Sequence, residues 1–179
     1  MKPIFLIGYM GCGKSTLGRA LQKASALEFI DLDHYIENRF HQTVSELFAS
    51  RGEAGFRKAE RAMLEEVADM ENVVIACGGG TPCFFDNMEL MNEKGLTVWL
   101  NTPIDRLYER LQRNRSKRPI LADKSDAELM DFIQRALKDR EPQYSKAAER
   151  FCATLLEDKS QIVITAADFC RRFNLPPAP

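Results

Sequence analysis

Gly8-Tyr9-Met10-Gly11-Cys12-Gly13-Lys14-Ser15-Thr16 is the stretch that decides the fold of this chain. It fits G-x-x-x-x-G-K-[ST]. A short apolar run precedes it at 4–7, and a helical pattern follows through Leu17, Ala20, Leu21 and Ala24. In that setting the glycines let backbone N–H groups turn inward around phosphate oxygens, and the helix N-terminus adds its positive end. Lys14 can reach the β- and γ-phosphates, and the Ser15 hydroxyl is placed to ligate Mg²⁺. Gly11, Cys12, Gly13, Lys14, Ser15 and Thr16 are the candidate ATP-binding residues of the loop. The motif defines a purine nucleoside triphosphate site and leaves the reaction open.

Outward from the loop, short β-rich runs alternate with longer helical patterns. Strands are expected at 4–7, 29–32, 73–76, 97–100 and 151–155. Each is apolar without clear alternation, as parallel strands covered on both faces should be. Helix starts are signalled by Thr43 with Glu46, by Ser125 with Glu128, and by Thr102 ahead of Pro103. Gly95 reads as a helix stop. Strand–helix alternation over the whole length predicts a parallel α/β sheet, whose ligands bind at the carboxyl ends of the strands. The 179 residues fit one domain, expected over 1–175, with 176–179 as a disordered tail.

Composition excludes several classes. Twenty-five Lys and Arg against 26 Asp and Glu leave a net charge of -1, which argues against a broad nucleic-acid or membrane surface. No run approaches the ~20 apolar residues of a membrane span, and the N-terminus lacks a signal-peptide pattern. Five cysteines without a CxxC pair and two histidines suit reduced thiols in a cytoplasmic protein better than a disulfide framework or zinc site. Neither an N-K-x-D nor a D-x-x-G motif is present, so a GTPase is not expected. A small kinase remains, which needs an acceptor pocket and charge over the γ-phosphate.

The candidate acceptor residues follow the strands. Asp31-Leu32-Asp33 places both carboxylates on one side of an extended segment; one could hold Mg²⁺ waters and the other could take a hydroxyl proton. Asp33 could equally cap the next helix. Arg57, beside Phe56, could clamp a carboxylate bidentately or lie on an exposed helix start. Gly78-Gly79-Gly80 strips side chains so that a ligand can approach the backbone. Residues 106–118 hold six cations and one anion, a net of +5, and read as part of a mobile lid at about 112–126 or as a solvated helix face. Arg140 precedes Pro142, where an exit from the helix could turn it inward.

Together these motifs resemble the shikimate kinase family. The phosphate loop, Phe-Ile-Asp-Leu-Asp at 29–33, Gly-Glu-x-x-Phe-Arg-x-x-Glu at 52–60, Gly-Gly-Gly at 78–80, Arg-Pro-Ile-Leu at 118–121 and Arg-x-x-x-Tyr at 140–144 occur in family order. The resemblance implies an α/β P-loop three-layer sandwich with a five-stranded parallel sheet, similar to nucleoside monophosphate kinases, with a lid and a substrate-binding region at about 33–61. It implies transfer of the ATP γ-phosphoryl group to the 3-hydroxyl of shikimate, with Mg²⁺, in a cytoplasmic monomer that binds neither nucleic acid nor membrane. It gives Lys14, Asp33 and Arg118 catalytic roles. Asp33, Arg57, Gly78, Gly79, Gly80 and Arg140 hold the acceptor in that reading. Ser15 ligates the metal, and Asp31 supports it from an outer position. Arg110 is the candidate for stacking on adenine, with Arg113 as its alternative and Lys159 to Gln161 as a further adenine contact. Phe48 and Phe56 could line the acceptor ring or be ordinary core. Trp99, Cys77 and Cys12 read as structural. A gluconokinase or nucleotide kinase of the same architecture is the nearest alternative.

Overall fold

In a computed structural model, which describes residues 1–115 and 119–178, five strands form one sheet. They are β1 (Ile4–Ile7), β2 (Glu28–Asp31), β3 (Val73–Ala76), β4 (Leu96–Asn101) and β5 (Glu149–Cys152), in the order β2-β3-β1-β4-β5. Every pairing is parallel, with Ile4 opposite Val74 on one side of β1 and Leu96 on the other. All residues of β1 and β3 are buried, so both faces of the sheet are covered. That is why these runs read as continuously apolar.

The helices are α1 (Lys14–Ala24), α2 (Leu32–Phe40), α3 (Val44–Ala68), α4 (Asn87–Lys94), α5 (Ile104–Arg113), α6 (Pro119–Ala122), α7 (Asp126–Tyr144) and α8 (Lys159–Arg172). Helix α1 packs on α8, and α5 on α7. Both expected capping boxes form: Thr43 with Glu46 opens α3, and Ser125 with Glu128 opens α7. Among the described residues no helix is long and apolar enough to cross a membrane.

Several local expectations shift. Strand β2 stops at Asp31, and α2 begins at Leu32, so Asp33 lies in the first turn of a helix and not on an extended segment. The carboxylate at Asp33 favours that turn, because it sits near the positive helix end. Helix α5 starts at Ile104 with Pro103 as its N-cap, one residue later than the Thr-Pro signal suggests. The Thr102 hydroxyl instead bonds the Cys12 carbonyl at 3.3 Å. Pro142 stays inside α7, which runs on to Tyr144, so it does not force the exit that would turn Arg140. Two residues of the expected tail are tied down: the Pro176 carbonyl accepts from the Ala26 N–H at 3.0 Å, and Pro177 bridges Ser25.

Candidate active site

A cleft of about 670 Å³ opens at the carboxyl ends of β1, β2 and β3. The phosphate loop forms one wall. Gly13 is the N-cap of α1 at φ 100°, a left-handed geometry that glycine adopts without strain, and a Cβ there would sit 2.3 Å from Leu156 Cδ1. No side chain caps this helix, which leaves its first N–H groups open for an anion. Gly11, Gly13, Lys14, Ser15 and Thr16 line the cleft. Cys12 does not: its thiol is buried, and its N–H bonds the Tyr9 carbonyl at 3.2 Å. Lys14 Nζ is held at the loop by the carbonyls of Gly8 at 2.7 Å and Tyr9 at 3.1 Å.

Ser15 donates its hydroxyl to Asp31 Oδ2 at 2.6 Å. This commits the hydroxyl proton and leaves the oxygen's lone pairs available. A hydroxyl beside carboxylates is the hard oxygen set that Mg²⁺ takes, with substrate phosphates and waters completing the shell. Asp33 also lines the cleft, and its carboxyl is raised from 3.8 to about 6. Burial is the main cause; the negative charges of Asp31 and Glu60 add to it, and Lys14 opposes it. Such a group is ionised near neutral pH yet more basic than an ordinary carboxylate.

The three glycines make room for the site's own side chains. A Cβ on Gly78 would lie 3.1 Å from Asp33 Oδ1 and 3.2 Å from Glu60 Oε1. On Gly79 it would lie 3.3 Å from Arg140 Nη1, and on Gly80 it would lie 2.7 Å from Arg57 Nη2. One turn therefore gathers Asp33, Arg140 and Arg57. Arg57 is only 13% exposed and is no surface residue. It pairs with Glu60 at 2.8 Å, and its guanidinium lies 4.0 Å over the Phe84 ring, with Phe48 and Phe56 at 5.7 and 5.2 Å. Phe48 and Phe56 stack at 4.3 Å and both line the cleft. Arg140 faces the cleft beneath the Tyr9 ring at 5.4 Å and has no ion-pair partner among the described residues.

Arg110 bridges two segments. Its Nη1 reaches the Gly11 and Cys12 carbonyls at 3.3 and 3.4 Å, and its Nη2 reaches those of Ala153 and Thr154 at 3.2 and 2.9 Å. Glu157 pairs with it at 2.9 Å. Arg113 also lines the cleft but is 65% exposed. Lys159 to Gln161 do not line it; Leu156 and Glu157 do, because the cap of α8 at Asp158 turns the chain away. Arg118 lies outside the described residues. Trp99 and Cys77 pack in the core, where burial pushes the Cys77 thiol well up.

Sequence reasoning assigned no role to Glu60, Thr81 or Phe84. Glu60 is buried, and it accepts from the Thr81 hydroxyl at 2.6 Å as well as from Arg57. Its spacing of three from Arg57 on one helix was the available signal. Nothing local marked Thr81 or Phe84, which the turn brings to Glu60 and to Arg57 respectively.

A family model described as shikimate kinase matches residues 10–171. The chain belongs to the shikimate kinase family. A shikimate kinase of Phocaeicola vulgatus is 56% identical over 174 residues, covering 97% of this chain and 99% of that one. The crystal structure of shikimate kinase from Bacteroides thetaiotaomicron superposes with a TM-score of 0.91 at 54% identity, over 97% and 99% of the two chains. A shikimate kinase from Acinetobacter baumannii, solved in complex with shikimate, gives a TM-score of 0.81 at 30% identity over 97% and 93%. The α/β P-loop kinase fold with a five-stranded parallel sheet is thus common to this chain and the shikimate kinases.

Proposed function

We propose that this chain is an ATP-dependent shikimate kinase, which converts shikimate and ATP to shikimate 3-phosphate and ADP on the route to chorismate and the aromatic amino acids. The observation that carries the reading is the glycine turn at 78–80, which brings a basic carboxylate and two arginines to one cleft wall. Shikimate is a small anion bearing hydroxyls. Arg140, without an acid partner among the described residues, and Arg57, aligned by Glu60, grip its carboxylate. Phe48 and Phe56 cover the apolar face of its ring.

Asp33 receives the proton of the 3-hydroxyl. The hydroxyl oxygen bonds the γ-phosphorus as the bond to the β-bridging oxygen breaks, and ADP leaves with that electron pair. The open N–H groups of the phosphate loop and the Lys14 ammonium bind and orient the triphosphate. Ser15 would hold Mg²⁺, with Asp31 supporting it through water, and the bound ion supplies charge neutralisation at the phosphate oxygens. Arg110, held flat by its acceptors, is the better platform for adenine than the exposed Arg113. Arg118 adds charge at the γ-phosphate, and one domain spans 1–175. The enzyme acts as a cytoplasmic monomer without nucleic-acid or membrane partners.

A substrate panel tests the reading. With ATP and Mg²⁺ the protein turns over shikimate and leaves gluconate and nucleoside monophosphates almost untouched; the reverse preference rejects it. Arg140→Ala raises the KM for shikimate by roughly 100-fold while nucleotide affinity holds, since a charged hydrogen-bond partner to a carboxylate is worth about 1.5–3 kcal/mol.

A further inference from the structure

The Arg-x-x-x-Tyr stretch brings more to the cleft than its arginine. Arg140 and Tyr144 stand four residues apart near the end of α7, so their side chains share one face. Tyr144 is fully buried, with its ring 5.9 Å from that of Trp99, and its hydroxyl donates to the Gly79 carbonyl at 2.5 Å. The Arg140 guanidinium lies against the same hydroxyl and also faces Gly79. One oxygen therefore touches both the glycine turn and the arginine beside it. Burial pushes the phenol well above its ordinary range, so it remains an O–H donor to Gly79 and keeps its lone pairs for the guanidinium.

The far end of the turn is fixed by other groups. The buried Asn87 amide donates to the Thr81 carbonyl at 2.7 Å, and Arg61 donates to the Asn87 side-chain oxygen at 2.8 Å. The turn is thus anchored at Thr81, and Arg140 meets it at Gly79. Core packing alone would be served as well by phenylalanine at this position, which explains the ring and leaves the hydroxyl unexplained.

We infer that Tyr144 is a positioning residue, whose hydroxyl fixes Arg140 against the Gly79 turn, opposite Arg57, for a carboxylate-bearing acceptor. The inference rests on the reading of Arg140 as a grip on that carboxylate. Tyr144→Phe keeps the ring and deletes one oxygen. It raises the KM for shikimate about tenfold and leaves kcat and the KM for ATP within about twofold, the size of one hydrogen bond to a charged group. A lowered Tm with both KM values unchanged, or with both raised alike, overturns it by showing a purely structural role. In an Arg140→Ala background, Tyr144→Phe causes no further loss in kcat/KM for shikimate; a full additional tenfold loss there also overturns it. Arg140→Ala alone tells the two failures apart. If that variant keeps its shikimate KM, the grip itself is wrong and this inference falls with it. If Arg140→Ala is crippled and Tyr144→Phe is silent, only the positioning role is wrong.

Discussion

Asp33 is held at odds with its own charge. Burial, Asp31 and Glu60 all disfavour its ionised form, and Lys14 compensates only in part. A carboxyl raised from 3.8 to about 6 binds its proton more tightly in the folded chain than in the unfolded one. The contribution of Asp33 to stability is then most favourable at low pH and falls as pH climbs through the window from about 4 to 6, with the full penalty present above it. At ~1.4 kcal/mol per pKa unit, and with some solvent screening, that penalty is about 2 kcal/mol. In metal-free buffer at pH 7.5, Asp33→Asn should melt about 4–8 °C above the parent, and the two should melt together at pH 4. A parent that melts higher at pH 7.5 contradicts this balance. The same variant should lose roughly 10²- to 10⁴-fold in kcat, as removal of a proton acceptor does. A group that weakens the fold and is required for turnover is the expected signature of a site tuned for chemistry.

At the scale of an element, the turn at 78–80 acts through the space its glycines leave. Gly80 has ordinary dihedrals, φ -92° and ψ -17°, so alanine costs little in backbone strain there. Its Cβ would nevertheless meet Arg57 Nη2 at 2.7 Å, and that guanidinium is held between Glu60 and Phe84. Gly79 allows more room, 3.3 Å to Arg140 Nη1. Steady-state kinetics should show Gly80→Ala raising the shikimate KM about tenfold, Gly79→Ala raising it less, and neither moving the KM for ATP, because misplacing one charged contact is worth about 1.4 kcal/mol. Equal effects from both, or none, would mean that the glycines do not serve the arginines. This turn also marks where sequence reading stops. Strand–helix alternation, both capping boxes and the loop at 8–16 were legible, because each is written in neighbouring residues. That the glycines accommodate the protein's own side chains was not, since Asp33, Arg57 and Arg140 come from α2, α3 and α7. Asp33 itself was read on an extended segment after the strand, or as a cap of the next helix, because two carboxylates around a leucine alternate as well as they begin a helix. Pro142 was read as a break, although the last turn of a helix can keep a proline when tertiary packing holds Tyr144.

Across the whole molecule, a near-zero net charge hides a division of labour among arginines. Arg57 and Arg140 serve the turn beyond β3, while Arg110 serves the other side of the cleft. From α5 its guanidinium joins the phosphate loop to the segment between β5 and α8, through the carbonyls of Gly11, Cys12, Ala153 and Thr154 and through Glu157. No single element could hold that geometry, which is why the charge pattern at 106–118 did not reveal the bridge. Arg110→Lys retains the charge but offers donors from one point, and a point cannot span acceptors on two segments. Differential scanning should place its Tm about 4–8 °C below the parent, reflecting about 2 kcal/mol of lost charged hydrogen bonds. The KM for ATP should rise about tenfold, with shikimate affected less than twofold, because only the nucleotide wall loosens. An equal rise for both substrates would show that Arg110 supports the cleft as a whole, and the separation of the two walls would then have to be abandoned.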